Sequence, residues 1–324
     1  MKTALRLLAA LMTSLLAAAG SAQAQTFPTK PIHMIVAFAP GGAVDTVARK
    51  LGAALGQSLG QQVVIDNRPG ASGNIGSDYV AKAAADGYTL LFAPSTLLAN
   101  PLVMKGKAPF DMHRDLTPIS LVASGPLLML VPSNGPATVR DFVKEAQAKP
   151  AQFNFGTGGY GSAPHLLAAQ FKLRNGLGDV PTILYKGTAP ALADLIGGQL
   201  SAMMEPALTA IPQVHGGKVR ALAITGEKRD PLVPDVPTFV ELGFSDMQIN
   251  TWYGVWGPAG LPAALQQKLA DAQKAVLGTP AFIDWLRQQG YEATPVSGTA
   301  FTTFLRDEET RYERIVREGH IEPQ

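Results

Sequence analysis

The sequence contains no cysteine, which removes disulfides, thiolate metal sites and cysteine nucleophiles from consideration. It has almost no surplus of charge either: 27 Lys and Arg stand against 25 Asp and Glu, and Lys2 and Arg6 near the start supply the excess. From residue 25 onward the chain is formally neutral, so the basic footprint needed for nucleic acid or an anionic membrane surface is absent. No later segment reaches the roughly eighteen uninterrupted apolar residues that suggest a membrane span. The five histidines, His33, His113, His165, His215 and His320, are scattered without metal-ligand spacing. Ser162 has Tyr160 and Pro164 at its −2 and +2 positions, so the nucleophile elbow G-x-S-x-G is missing, and there is no Walker A loop. No enzyme, cofactor or metal chemistry is expected.

The start of the chain sets the compartment. Lys2 and Arg6 form a positive region, Leu7 to Ala19 an apolar run, and Ala22-Gln23-Ala24 a small-x-small cleavage pattern. Residues 1–24 therefore read as a signal peptide, cleaved after Ala24 to leave a periplasmic protein. The remaining 300 or so residues, within a chain that is 46% hydrophobic, suffice for two domains of ordinary size.

A strand, glycine turn and helix recur along the chain. Ile32 to Phe38 reads as a buried strand ending at Ala39-Pro40-Gly41-Gly42, followed by a helix from Ala43 to about Gly60. Strand Gln62–Asp66, helix Asn74–Ala84 and strand Tyr88–Ala93 come next. The order repeats with strand Phe153–Phe155, the loop Gly156–Ser162 and a helix through Leu166 and Gln170. Strand Val180–Tyr185, helix Ala189–Gly197 and strand Leu200–Met204 complete the second copy. The fold class expected is α/β, with two doubly wound domains facing each other across a cleft and parallel sheets within each. Residues 25–125 and 250–324 are assigned to the first domain and 126–249 to the second. Leu121–Val131 and Thr251–Trp256 are the expected crossover strands, and helices Pro262–Leu277 and Phe301–Glu318 return to the first domain.

Glycine turns that open helices present free N–H groups beside the positive end of a helix dipole, and so suit anions. Ala39 to Gly42 and Gly156 to Ser162 are the strong candidates; Gly70 to Gly73 and Gly187-Thr188 are weaker. Each also fits a tight turn that needs glycine only for its backbone. Gly156, Gly158 and Gly161 match G-x-G-x-x-G, with Asp179 further on, and so admit a nucleotide-binding protein or exported enzyme as the alternative function. Export away from the nicotinamide pool and a loop crowded with glycine weigh against it. His165 either donates to an anion or caps and packs. Asp45 faces the cleft or serves its own helix terminus, and Glu205 faces the cleft or ends a strand in solvent. If both acids faced a bound carboxylate, the ligand would need a compensating cation or donor. Among Trp252, Tyr253 and Trp256, at least two are expected in the core.

With these residues in view, the chain resembles the substrate-binding family of tripartite tricarboxylate transporters, the Bug-type receptors. The resemblance runs from Phe27 nearly to Pro323. It rests on Pro28-Thr29-Lys30-Pro31-Ile32, Phe38 to Gly42, Asp66 to Gly76, Asp86 to Leu91, Pro234-Asp235-Val236-Pro237-Thr238 and Trp256 to Gly260. It implies a Venus-flytrap fold and a small organic acid or amino-acid-like ligand. It also implies cognate membrane permease subunits, and we expect a monomer. The binding loops it implies are Phe38, Ala39, Pro40, Gly41 and Gly42 with Asp45, then Ser72, then Ser95 and Thr96. In the second domain they are Gly158, Gly159, Tyr160 and Ser162 with His165, then Lys186, Gly187 and Thr188, then Glu205. The family more often carries Asp at that last position, which leaves the size and polarity of that end of the pocket open.

Overall fold

The computed structural model describes residues 27–104, 108–319, 321 and 323. The expected signal peptide and its cleavage point lie outside them. Strand β1 (Ile32–Val36) buries every residue but His33, and β2 (Val63–Asn67) and β3 (Thr89–Pro94) flank it in parallel register. Between β1 and β2, helix α1 (Ala43–Leu59) buries Val44, Val47, Ala48, Leu51 and Leu55 at helical spacing. Gly60, at φ 70°, ends it in the left-handed conformation that a side chain disfavours. Helix α2 (Asn74–Ala81) joins β2 to β3, and α3 (Thr96–Val103) follows β3. A single turn, α4 (Met112–Asp115), is capped by the Asp111 carboxylate and leads into β4 (Leu116–Gly125).

The chain then crosses to a second sheet. Strand β5 (Leu127–Pro132) is followed by α5 (Val139–Ala148), β6 (Phe155–Thr157), α6 (Ala163–Arg174) and β7 (Thr182–Leu184). Helix α7 (Thr188–Ile196), β8 (Ala202–Pro206), α8 (Ala207–His215) and β9 (Val219–Ile224) complete this half. The chain returns as β10 (Thr251–Pro258), α9 (Ala263–Leu277), α10 (Pro280–Arg287), β11 (Glu292–Ala293) and α11 (Gly298–Glu318). The first sheet has the order β11-β4-β10-β3-β1-β2, and the second β7-β6-β8-β5-β9.

Three sequence expectations need correction. The sheets are mixed, because β10 runs antiparallel to β3 and β4, and β5 antiparallel to β8 and β9. Only the strand–helix–strand units give parallel neighbours, since only they carry a crossover helix. Leu121–Val131 is no single crossover strand, because pairing changes sheets at Gly125-Pro126, where proline offers no N–H. Thr251–Trp256 stays wholly in the first sheet, and the return crossing is made by the segment before it. At its start Thr225 Oγ1 accepts the Leu127 N–H and the Thr225 N–H donates to Leu127 O, each at 2.9 Å, tying the two crossings together.

Trp252 and Trp256 are buried in the core as expected, with ring centroids 6.3 Å apart, and Trp252 donates to Glu308 on α11 at 2.8 Å. Burial of such side chains contributes about 1.5–3 kcal/mol each. It pins the returning α11 against the first sheet.

Candidate functional site

The glycine loops of the two halves meet. The Ala39 N–H donates to Lys186 O at 3.0 Å, and the Tyr160 N–H donates to Ser72 Oγ at 3.0 Å. Ala71 and Ser72 hold left-handed φ values of 46° and 52°, each costing about 1–3 kcal/mol for a side-chain-bearing residue. The Asn100 amide donating to Ser72 O at 2.9 Å holds this geometry, which presents the Ser72 hydroxyl to the opposite loop. Gly161, at φ 74°, lies so close to α3 that a Cβ there would come 2.5 Å from Asn100 backbone atoms.

Between these contacts lies a narrow cavity of about 40 Å³. No residue on its wall is charged. Phe38, Ala39 and Gly42 form one side with Ala43 and Val44; Gly158, Ser162 and Thr188 form another with Ala163 and Pro164. Pro94, Thr96, Pro206, Thr251 and Tyr253 complete the lining. Five helices begin here, and in α8, which starts after Pro206, the first N–H is already taken by Pro126 O. Helices α1, α3 and α7 start at Gly42, Ser95 and Gly187 with no side chain capping them. Their first-turn N–H groups are therefore left to whatever occupies the cavity. Helix α6 is capped by Ser162, whose hydroxyl accepts from His165 N at 3.2 Å and donates to Gly159 O at 2.7 Å.

Other anticipated residues stand behind the wall and shape it. Asp45 is fully engaged by its own loop: Oδ2 accepts from the Gly41 N–H and Arg49 Nε, each at 2.9 Å, and Oδ1 accepts from Asn67 at 2.9 Å. Burial raises its pKa, but the hydrogen bonds from Arg49, Gly41 and Asn67 outweigh this and hold it below the usual value. Pro40 and Gly41 are exposed at the tip of that loop. Ser72 lines a narrower recess that shares Phe38, Pro94 and Thr96 with the cavity. Ser95 is buried, its N–H donating to Trp252 O. Gly159 packs on Phe38 and Ser72, and Gly187 against Ala39, while Lys186 contributes its carbonyl.

His165 is buried, accepts the Gly161 N–H through Nδ1 at 3.2 Å and meets the Tyr160 ring edge-on at 5.1 Å. Accepting at Nδ1 requires the neutral ring. Burial, and then the charge of Lys172, press its pKa down to about 4. It braces the loop as a neutral acceptor.

Glu205 is not a solvated strand end. It is wholly buried behind Thr188, Pro206 and Tyr253, and burial pushes its pKa up to about 8 against the lowering effect of the Thr209 and Thr188 hydroxyls. The two acids therefore place no negative charge on the cavity wall. The expected repulsion of a plain dicarboxylate loses its basis.

The sequence reading missed Ala43, Val44, Ala163 and Pro164, which occupy first turns just beyond the glycine loops. It also missed Pro94, Pro206 and Thr251 at strand ends. Tyr253, a cleft candidate from the sequence, lines the cavity. The G-x-G-x-x-G glycines serve contacts within the chain: Cβ atoms at Gly156 and Gly158 would strike Leu200 and the Gly187-Thr188 backbone at 2.3 and 2.6 Å. Asp179 precedes β7 rather than ending a strand, unlike a ribose-binding acid.

A model of the tripartite tricarboxylate transporter family receptor matches residues 47–321. The chain belongs to this family. It is 38% identical over 304 residues to protein BugT of Bordetella pertussis, covering 93% of this chain and 92% of that one. The solved periplasmic binding protein BugD superposes with a TM-score of 0.87 at 30% identity, covering 92% of this chain and 100% of that one. MatC from Rhodopseudomonas palustris, solved with bound malate, superposes with a TM-score of 0.84 at 30% identity, covering 90% and 100%. The two-sheet fold is thus that of the Venus-flytrap periplasmic binding proteins.

Proposed function

We propose that this receptor captures a small carboxylate-bearing solute in the cavity between its two halves and hands it to a membrane permease, performing no chemistry of its own. The observation carrying this reading is the convergence of three uncapped helix starts, at Gly42, Ser95 and Gly187, on a wall free of charged side chains. Dipole ends and N–H groups suit an anion without any counter-ion. The hydroxyls of Thr96, Thr188, Thr251 and Tyr253 add donors that fix its orientation. Behind them, Asp45, Ser72 and His165 hold the loops in place. The malate held by MatC, a relative of the same fold, makes dicarboxylates the first class to test. Export and cleavage after Ala24, and action as a monomer, belong to the same proposal.

A thermal-shift screen of dicarboxylates, amino acids and nucleotides tests it. An acid present at about 100 times its dissociation constant stabilises the protein by roughly 2.7 kcal/mol. Small-angle scattering should then show a smaller radius of gyration with that acid, because the two halves close on it. Stabilisation by nucleotides alone, or by none of the acids, would overturn the reading.

A further inference from the structure

Glu205 is wholly buried, immediately before the wall residue Pro206. Its Oε1 accepts the Thr209 hydroxyl at 2.5 Å, while Oε2 has no hydrogen-bond partner among the described residues. The Thr188 hydroxyl lies beside the carboxyl without closing a well-formed bond, and Thr188 also forms part of the cavity wall. Burial drives the acid toward its neutral form up to about pH 8.

Among the described residues no cation reverses that. Helix α6 carries His165, Lys172 and Arg174, α7 carries Asp194 and α8 carries His215. None of these groups contributes to the shift. The titratable groups that Glu205 does reach are Tyr253 of β10 and Tyr291, whose hydroxyls lie 3.1 Å apart; burial keeps both protonated.

A neutral carboxyl can satisfy its free oxygen by donating that proton to the neighbouring threonine. We propose that Glu205, as the neutral acid, is a positioning residue that donates to Thr188 Oγ1 and so turns the Thr188 hydroxyl proton into the cavity, toward a ligand carboxylate. Loss of the Oε2 proton to solvent reverses the hydroxyl. Thr188 then donates to Glu205, the cavity faces an acceptor, and a buried negative charge lies behind it. A dicarboxylate is admitted while Glu205 is protonated and refused once it ionises. This inference rests on the carboxylate-receptor reading above and names the residue that makes that receptor respond to pH.

Calorimetric titration of the whole protein with malate and with succinate, at about pH 6 and about pH 9.5, tests the relay in wild type, Glu205→Gln and Thr188→Val. The wild type should lose on the order of tenfold in affinity for each pH unit above the Glu205 titration. Glu205→Gln, whose amide donates at every pH, should bind without that step. Thr188→Val should bind weakly at both values. Infrared difference spectra of ligand-free wild type against Glu205→Gln should show a protonated-carboxyl band at neutral pH that disappears in base. Equal wild-type affinity at both pH values, a step surviving in Glu205→Gln, or no such band at neutral pH overturns the relay and leaves the receptor reading intact. Absence of binding by either acid to any form at about pH 6 overturns both.

Discussion

In the loop before α1, an ionised carboxylate takes up the stray donors: Asp45 accepts from the Gly41 N–H, Arg49 and Asn67. In the loop before α6, the corresponding work falls to uncharged groups. Ser162 bridges Gly159 O and His165 N, and a neutral His165 takes the Gly161 N–H. The difference follows from surroundings. Arg49 is half-exposed and can bring a solvated charge to Asp45, whereas His165 is sealed within α6 and loses its proton to burial. One lip of the cleft is thus braced by ionic hydrogen bonds at its outer edge. The other is braced by a neutral network with Glu205 buried deeper in the same half. Braces of both kinds leave the wall itself uncharged.

The sharpest way to break the pair is to stop the loops from meeting. Gly161→Ala places a methyl against Asn100 and strains a left-handed φ. Affinity should fall about a hundredfold or more as the closed form is depopulated, while circular dichroism stays native. Undiminished affinity would mean that ligand binding does not need this contact.

The neutral brace predicts two pH effects of opposite sign. His165 has a folded pKa below its ordinary 6.5, so the stability it contributes is complete above that value and is lost as pH falls toward 4. Glu205 is raised above 4.5, so its stability is complete below that value and is lost as pH rises toward 8. Between about pH 4.5 and 6.5 the two offset each other. Chemical denaturation should therefore find His165→Gln losing stability with rising pH across this window and Glu205→Gln gaining it, each departing from wild type by on the order of 2 kcal/mol. Parallel profiles in all three proteins would mean that one or both groups are not held neutral.

The ionic brace should yield smaller changes. Asp45→Asn keeps the shape but weakens the bonds from Arg49 and Gly41, costing about 1–2 kcal/mol in urea denaturation. Wild type should lose this contribution in acid, as Asp45 protonates below its ordinary 3.8. Arg49→Ala, which removes a half-exposed partner, should cost only about 0.5 kcal/mol. A cost as large as that of Asp45→Asn would show that the ion pair, and not the Gly41 and Asn67 bonds, holds the loop.

The strand–loop–helix units were legible because their signals are local. Apolar periodicity placed α1 within one residue of its end, and the glycines marked where each strand stops. The interior of the site was not legible in the same way. Whether Asp45 faces the cavity depends on the backbone at Gly41, with φ 85°, which turns that N–H back onto the carboxylate. Whether Glu205 meets water depends on Tyr253 and Tyr291, which arrive from some fifty and eighty residues downstream. The G-x-G-x-x-G pattern, already disfavoured by its context, has its reason in the fold: its glycines answer to Leu200, Gly187 and Asn100, partners no local spacing reveals.

The Ala39 N–H to Lys186 O bond joins main chain to main chain across the cleft. A clasp of this kind belongs to no side chain, so exchanging the residues of the lining would retune what is held without touching what holds it shut. It also does not involve the cargo. Escape must wait for the clasp to part, whatever lies inside. Solutes held with very different strength should then share much of the same delay before release.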